Sequence, residues 1–164
     1  MVECPSCGLK LLSQSIEPPL GYRASSECYR KFRELTFYTL SKQDTDFLHQ
    51  HAIEAYAAQH YGREMKSITI TFALIGLYFA VDHHYSGRQV QRVHMLLGRQ
   101  KHQWEAHNLP LYPSSSYSLT AGDVLQEQPG EHRDAVLRAW MGAVWQCWKD
   151  QHDWVKGVCH TLLP

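Results

Sequence analysis

The sequence predicts an all-α fold, a helical bundle that follows an irregular N-terminal arm. From residue 26 onward, apolar residues recur mainly at the three- and four-residue spacing of amphipathic helices. The most apolar run, residues 68–81, is longer than a usual strand and shorter than the roughly 20 residues of a membrane-spanning helix. Apolar residues make up 44% and charged residues 20% of the 164 residues, as in chains that fold around a core. We therefore expect one helical domain over residues 1–164.

The arm, residues 1–25, lacks the periodicity of either a helix or a strand. Proline and glycine residues interrupt it throughout, at Pro5, Gly8, Pro18, Pro19 and Gly21. Such a segment needs an anchor other than a long helix, and a metal ion is one candidate.

Residues 26–62 are expected to form a helical hairpin. In its first helix, which should end near residue 40, four residues at i, i+4, i+7 and i+11 share one face. They are Cys28, Phe32, Leu35 and Thr39. Asp44 is the predicted N-cap of the second helix, which runs to His60. Because the connection is short, the two helices should lie antiparallel.

The rest of the chain divides into central helices, a long loop and a C-terminal helix. Residues 67–101 are predicted to form two helices, and residues 102–119, rich in proline and serine, a long loop. A short helix is expected to start after Thr120. Residues 131–161 are predicted to form one long, Trp-rich helix, with His152 on the stripe that faces the core.

The strongest motif lies in the arm, where the sequence Cys-Pro-Ser-Cys-Gly occupies residues 4–8. Two thiolates three residues apart can bind one metal ion, and the glycine allows the close backbone approach of a zinc knuckle. A closed structural zinc site has four ligands, so two more must come from elsewhere in the chain.

The geometry of the hairpin indicates the other two ligands. If its turn is centred near Lys42, Cys28 lies opposite Tyr56 and beside His60, at the far end of the second helix. Cys159, near the end of the sequence, is an alternative fourth ligand. The predicted zinc site consists of Cys4, Cys7, Cys28 and His60.

Two other interpretations of these residues remain open from the sequence. Cys28 can be a core thiol, and His60 can interact with the carbonyl groups at the end of its helix. Cys4 and Cys7 can also form a redox pair, although such pairs usually open a helix within a βαβ unit, and none is evident here.

A catalytic site inside the bundle is the alternative to a structural metal. His49, Tyr56 and His60 share one face of the second helix, and His152 lies on the core stripe of the last one. Facing helices can build a metal site from histidines, with Glu54 as a nearby carboxylate. This hypothesis predicts a metal-dependent enzyme that uses His49, Tyr56 and His152, without the tight His-Glu-x-x-His pattern of known zinc hydrolases.

Several segments together resemble an uncharacterised bacterial family of small helical proteins. They are residues 4–8, Cys28 with the Phe-Arg-Glu-Leu of residues 32–35, residues 54–60 and residues 151–155. Members of the family open with a C-P-x-C-G knuckle and carry D-x-Y-x-x-Q-H on the second helix. Glu54 replaces the expected aspartate here, and Tyr61 replaces a proline. The resemblance implies the metal ligands and no activity.

Charge and sequence motifs narrow the expected function. Sixteen basic and sixteen acidic residues cancel, so no global positive field favours nucleic acid or an anionic membrane. No secretory signal, P-loop, dinucleotide fingerprint or nucleophile elbow is present, and a cytoplasmic location is expected. We expect a zinc-binding protein with a non-catalytic binding or adaptor role and a protein partner.

Overall fold

The computed structural model describes residues 1–100, 104–105, 108–111 and 117–164, and confirms the predicted all-α fold class. The helices in this part of the chain are α1 (Ser26–Ser41), α2 (Leu48–Gln59), α3 (Ser67–Asp82), α4 (Gly87–Gly98), α5 (Ala121–Gln126), α6 (Glu131–Cys147) and α7 (His152–Leu162). The described strands, β1 (Val2–Glu3) and β2 (Lys10–Leu11), form an antiparallel pair that the sequence did not predict.

Helix α2 is the centre of the bundle, and almost all of its residues are buried. It packs against α3 and α6 and also contacts α1 and α4. Ala52, Ala55 and Ala58 have no exposed surface, and their small side chains allow this close approach from several sides. The polar side chains of α2 are therefore buried as well, so they need partners inside the protein.

The helical hairpin forms as predicted, with a different start to its second helix. The face of α1 with Cys28, Phe32, Leu35 and Thr39 is buried. Helix α2 begins at Leu48 rather than directly after Asp44, because Phe47 adopts the left-handed conformation with φ of 55°. The carboxylate of Asp44 still accepts a hydrogen bond from the Leu48 backbone N–H at 3.0 Å.

The apolar run of residues 68–81 lies in the core helix α3. Ile70, Leu74 and Leu77 have no exposed surface. Within the described ranges, no helix combines the length and the apolarity that crossing a membrane requires.

The two central helices lie within the predicted range, residues 67–101, and the second ends a few residues before its end. Helix α3 ends at Asp82, and α4 extends from Gly87 to Gly98, after a capping box made by Ser86 and Gln89. The predicted long loop, residues 102–119, lies partly outside the described residues. The division of the chain into domains stays a prediction.

The prediction of one continuous C-terminal helix over residues 131–161 is wrong. Helix α6 ends at Cys147, and a short 3-10 helix, Lys149–Gln151, separates it from α7. At the break, the buried Trp148 indole N–H donates to the Ala58 carbonyl of α2 at 3.3 Å. Because no proline or glycine marks the break, we attribute it to this tertiary anchor, which local periodicity does not record.

The buried His51 of α2 predicts acid sensitivity. Burial lowers the pKa of His51 from the ordinary 6.5 to about 4, and its Nδ1 has no hydrogen-bond partner among the described residues. Between these two values the unfolded chain binds a proton that the folded protein does not, so stability present above pH 6.5 is lost as the pH falls.

We therefore expect this histidine to lower the unfolding free energy by about 2 kcal/mol between pH 7 and pH 5. Urea unfolding at both pH values should show that His51→Gln loses less unfolding free energy between pH 7 and pH 5 than wild type does, by this amount. His132→Gln changes an exposed histidine of α6 and should behave like wild type. Equal pH dependence of His51→Gln and wild type would contradict the prediction.

Candidate metal centre

The N-terminal knuckle is a tight turn between β1 and β2. The Cys4 N–H donates to the Leu9 carbonyl at 2.9 Å, and the Gly8 N–H donates to the Cys4 carbonyl at 3.0 Å. Gly8 has φ of +76°, a conformation that glycine adopts without steric cost. The turn directs Cys4 and Cys7 to the same point, and both are buried.

Cys28 lies in the first turn of α1. Its backbone N–H donates to the side chain of the N-cap Ser25 at 3.1 Å. The N-terminal end of a helix carries a partial positive charge, which favours the thiolate form of a nearby cysteine. The helix end therefore offsets part of the cost of ionising Cys28 when a metal binds, although hydrogen bonds to Cys4 and Cys7 and burial raise the pKa of its thiol without one.

His60 follows the last residue of α2, and two hydrogen bonds fix its position. The ring N–H at Nδ1 donates to the Tyr56 carbonyl at 2.9 Å, which leaves the lone pair on Nε2. The His60 carbonyl accepts from the Arg23 N–H of the arm at 2.9 Å. The arm therefore meets α2 at the residue that presents an imidazole nitrogen.

The structure brings together the four residues that the sequence predicted as ligands. Their ligand atoms, three Sγ atoms and one imidazole nitrogen, all lie within 4.8 Å of one another. Cys28 Sγ is 3.7 Å from Cys7 Sγ and 3.3 Å from His60 Nε2. All four residues are buried, and the group could hold a metal ion.

These distances fit a tetrahedral zinc ion. With Zn–S of about 2.3 Å and Zn–N of about 2.0 Å, tetrahedral angles place two sulfurs about 3.8 Å apart and sulfur from nitrogen about 3.5 Å apart. The Cys7–Cys28 and Cys28–His60 separations are close to these values. The donor set of three sulfurs and one nitrogen is also one that structural zinc sites use.

Aromatic side chains cover the cluster on its α2 side. The Tyr56 ring stacks on the His60 imidazole with 3.9 Å between centroids. The Phe32 ring in turn stacks on Tyr56, with 4.0 Å between centroids. The Tyr56 hydroxyl lies 3.5 Å from Cys28 Sγ. Tyr56, which the catalytic hypothesis used, is thus a neighbour of the proposed metal ligands that restricts solvent access.

The thiols of the cluster shift the pKa of one another. Hydrogen bonds from the thiols of Cys28 and Cys7 hold the pKa of Cys4 far below its ordinary value. The pKa of Cys28 is raised, because its thiol bonds to Cys4 and Cys7 and is buried. A bound divalent cation would replace the thiol protons and hold all three sulfurs as thiolates.

The other residues of the catalytic hypothesis have separate partners. His49 Nδ1 lies 2.8 Å from the Thr39 hydroxyl of α1. His152 donates from Nε2 to the Trp145 carbonyl at 2.9 Å and stacks on the Trp145 indole. Neither histidine, nor Cys159, belongs to a group of possible metal ligands among the described residues. Within the described part of the chain, the ligands that the catalytic alternative needs are therefore not assembled into one site.

Sequence reasoning named Glu54 but missed the polar group that it forms with another helix. His94 of α4 reaches Glu54 of α2, with 3.5 Å between Nδ1 and the carboxylate Oε1. Gln50, one turn before Glu54, donates to its carboxylate and was a local signal for this group, whereas the pairing with α4 depends on helix packing.

Comparison with known proteins agrees with the resemblance at the level of the family. No curated protein and no solved structure matches the chain. Residues 2–149 match a family of unknown function, DUF5946, whereas the motifs that suggested the resemblance stay a prediction. Since the match covers most of the chain, including all four residues of the cysteine–histidine cluster, the protein belongs to the DUF5946 family.

Proposed function

We propose that Cys4, Cys7, Cys28 and His60 hold one structural zinc ion that fastens the N-terminal arm to the α1–α2 hairpin. The observation that carries this proposal is the convergence of four buried ligand atoms within 4.8 Å. Four protein ligands complete a tetrahedral zinc, whereas catalytic zinc sites keep one position for water or substrate. The ion would stabilise the attachment of the arm to the hairpin and would take no part in a reaction.

With this site we propose a non-catalytic binding or adaptor role in the cytoplasm. The arm exposes large apolar side chains, Leu12, Ile16 and Leu20, and Ile16 shares a shallow hollow with Phe37 of α1. In this proposal the apolar surface that Ile16 shares with Phe37 is the candidate contact for a partner, since contiguous apolar patches mark protein–protein sites. The balanced charge gives no general support for a nucleic-acid partner, so the partner in this proposal is another protein.

The metal content of the purified protein tests the site directly. Elemental analysis of wild type, purified without added metal, should give one zinc per chain. Cys28→Ser should lose most of it, and His49→Ala, which removes a buried histidine outside the cluster, should keep it. X-ray absorption at the zinc edge should show three sulfur ligands and one nitrogen, with Zn–S of about 2.3 Å.

Two results would contradict the proposal. Equal zinc content in Cys28→Ser and wild type would remove Cys28 from the ligand set. A water ligand on the bound zinc would favour a catalytic ion over a structural one.

A further inference from the structure

A second polar group lies in a cavity of about 280 Å³ between α2, α3 and α4, beside the arm. Three polar side chains line it, namely Gln50, Glu54 and His94. The rest of the lining is aromatic or apolar apart from Thr69. Sites for small molecules are typically apolar cavities with a few convergent polar groups. Their usual volume is slightly larger than that of this cavity.

Glu54 is the centre of the polar group. Its side chain is only 4% exposed, yet it lines the cavity. Gln50 Nε2 donates to Oε1 at 2.5 Å, and His94 Nδ1 lies 3.5 Å from the same oxygen. The other oxygen, Oε2, has no hydrogen-bond partner among the described residues. Burial raises the pKa of Glu54 well above its usual range, so without a ligand the cavity favours the neutral acid, and a bound cation would favour the ionised carboxylate.

His94 presents an acceptor to the same space. Its Nε2–H donates to the Phe72 carbonyl at 2.9 Å, so the neutral ring carries its lone pair on Nδ1, facing Glu54. Burial lowers the pKa of His94, which favours this neutral form. When Glu54 is ionised, the cavity therefore holds two acceptors, the Glu54 carboxylate and Nδ1, while its amide donor, Gln50, is already bonded to Glu54.

The packing of α3 holds the carboxyl group in place. A Cβ at Gly76 would lie 2.6 Å from the carboxyl carbon of Glu54, so this glycine allows the α3 backbone to press directly on the side chain. A group held so closely loses little conformational entropy when a ligand binds.

The walls of the cavity complement a cation. The rings of Tyr22 and Phe72 line it, and aromatic faces attract ammonium groups. None of the described residues in its lining is Lys or Arg, so no side chain there neutralises Glu54. A ligand that brings both several N–H donors and a positive charge would satisfy these groups, because an ammonium ion has donors only.

We propose that this cavity binds a small organic ammonium ion, with the Glu54 carboxylate as its counter-ion, His94 Nδ1 as a second acceptor and the rings of Tyr22 and Phe72 around its apolar part. The proposal goes beyond the structural metal, and no member of the cysteine–histidine cluster lines the cavity. Because Tyr22 belongs to the arm that the metal is proposed to fasten, the binding experiments use the protein with its metal bound.

Calorimetric titration with benzylamine, which is an ammonium ion at neutral pH, tests the proposal. The matched probe is benzyl alcohol, which has the same apolar part without the charge. We expect saturable 1:1 binding of the amine and at least tenfold weaker binding of the alcohol. Propylamine and cyclohexylamine serve as smaller and non-aromatic amines. Equal affinity for benzylamine and benzyl alcohol, or saturable binding of none of the three amines, would overturn the proposal.

Two variants locate the binding site. Glu54→Gln keeps the shape of the side chain and should weaken amine binding at least tenfold. Glu64→Gln removes the same charge from an exposed residue outside the cavity and should bind like wild type.

Thr69→Trp provides a test that leaves the buried group intact. Thr69 is an exposed residue of α3 in the cavity wall, where a large side chain should fill the space without disturbing the core. We expect at least a tenfold loss of amine binding, with an unchanged circular dichroism spectrum. Wild-type affinity in a folded Thr69→Trp would place the amine elsewhere and refute the assignment.

Discussion

Removing zinc with a chelator is expected to release the arm and to lower the unfolding free energy of wild type by about 4 kcal/mol. This is the stabilisation that a bound ligand gives when its free concentration is about a thousandfold above its dissociation constant. The reason is that the ion would join the knuckle to both helices of the hairpin, whereas the rest of the arm is held by the packing of Leu9 and Tyr22 on the core and by a few hydrogen bonds. Outside the cluster, the Arg23 N–H donates to the His60 carbonyl and the Gln14 N–H to the Glu27 carboxylate, each at 2.9 Å. Single hydrogen bonds of this kind contribute about 1 kcal/mol each.

The expected result has two parts that can be measured separately. Thermal unfolding followed by circular dichroism should move to lower temperature on chelation, while most of the helical signal at 25 °C remains, because α2, α3 and α6 pack on one another without the arm. Limited proteolysis should then cut within residues 1–25 first.

Cys159→Ser is the matched control for this experiment. It changes a buried cysteine of α7 that lies outside the cluster, so its response to the chelator should equal that of wild type. Loss of the zinc with no change in melting temperature or in the proteolysis pattern would show that the arm is held by other contacts.

The second large effect is expected at Gly87, the first residue of α4. A Cβ there would lie 1.8 Å from the carbonyl oxygen of Phe47, in the connection between α1 and α2. The contact is with backbone, so no rotamer change can relieve it. At the same place, the Arg88 N–H donates to the Asp46 carbonyl at 3.1 Å. Gly87→Ala should therefore force α4 away from the hairpin and cost about 3 kcal/mol of unfolding free energy.

Gly142→Ala is the control for helix propensity. Gly142 lies inside α6, and nothing would lie within 4 Å of a Cβ there. Alanine should stabilise this helix by about 0.5–1 kcal/mol. Urea unfolding of the two variants should thus move the midpoint in opposite directions. A Gly87→Ala protein as stable as Gly142→Ala would show that the close approach of α4 to Phe47 is not maintained in solution.

Much of the metal centre could be predicted because its parts are local. A thiol pair three residues apart, with glycine behind it, describes one turn of chain whatever the rest of the fold does. Both helices of the antiparallel hairpin rise by the same distance per residue, so residues equally far from the turn lie at the same level. Counting residues from the turn in this way predicted Cys28 beside Tyr56 and His60. Counting of this kind works while the connection is short.

The same reasoning failed where distant residues decide the local structure. The break between α6 and α7 occurs where the buried Trp148 bonds to Ala58, ninety residues earlier in the chain. The pairing of Glu54 with His94 depends on how α4 packs beside α2. A hydrophobic pattern indicates that a face is buried, and it contains no information on which side chain will lie opposite.

By itself, the sequence determined the helical fold class, the knuckle and the hairpin, since each depends on residues close together in the chain or on a short connection. Only the tertiary structure decided that a cavity with a buried carboxyl group lies between α2, α3 and α4, and that α4 meets the backbone at Phe47. These features arise from close packing between separate elements, where a single methylene group or glycine determines the distance. Such distances depend on the whole fold and are not encoded in any one segment.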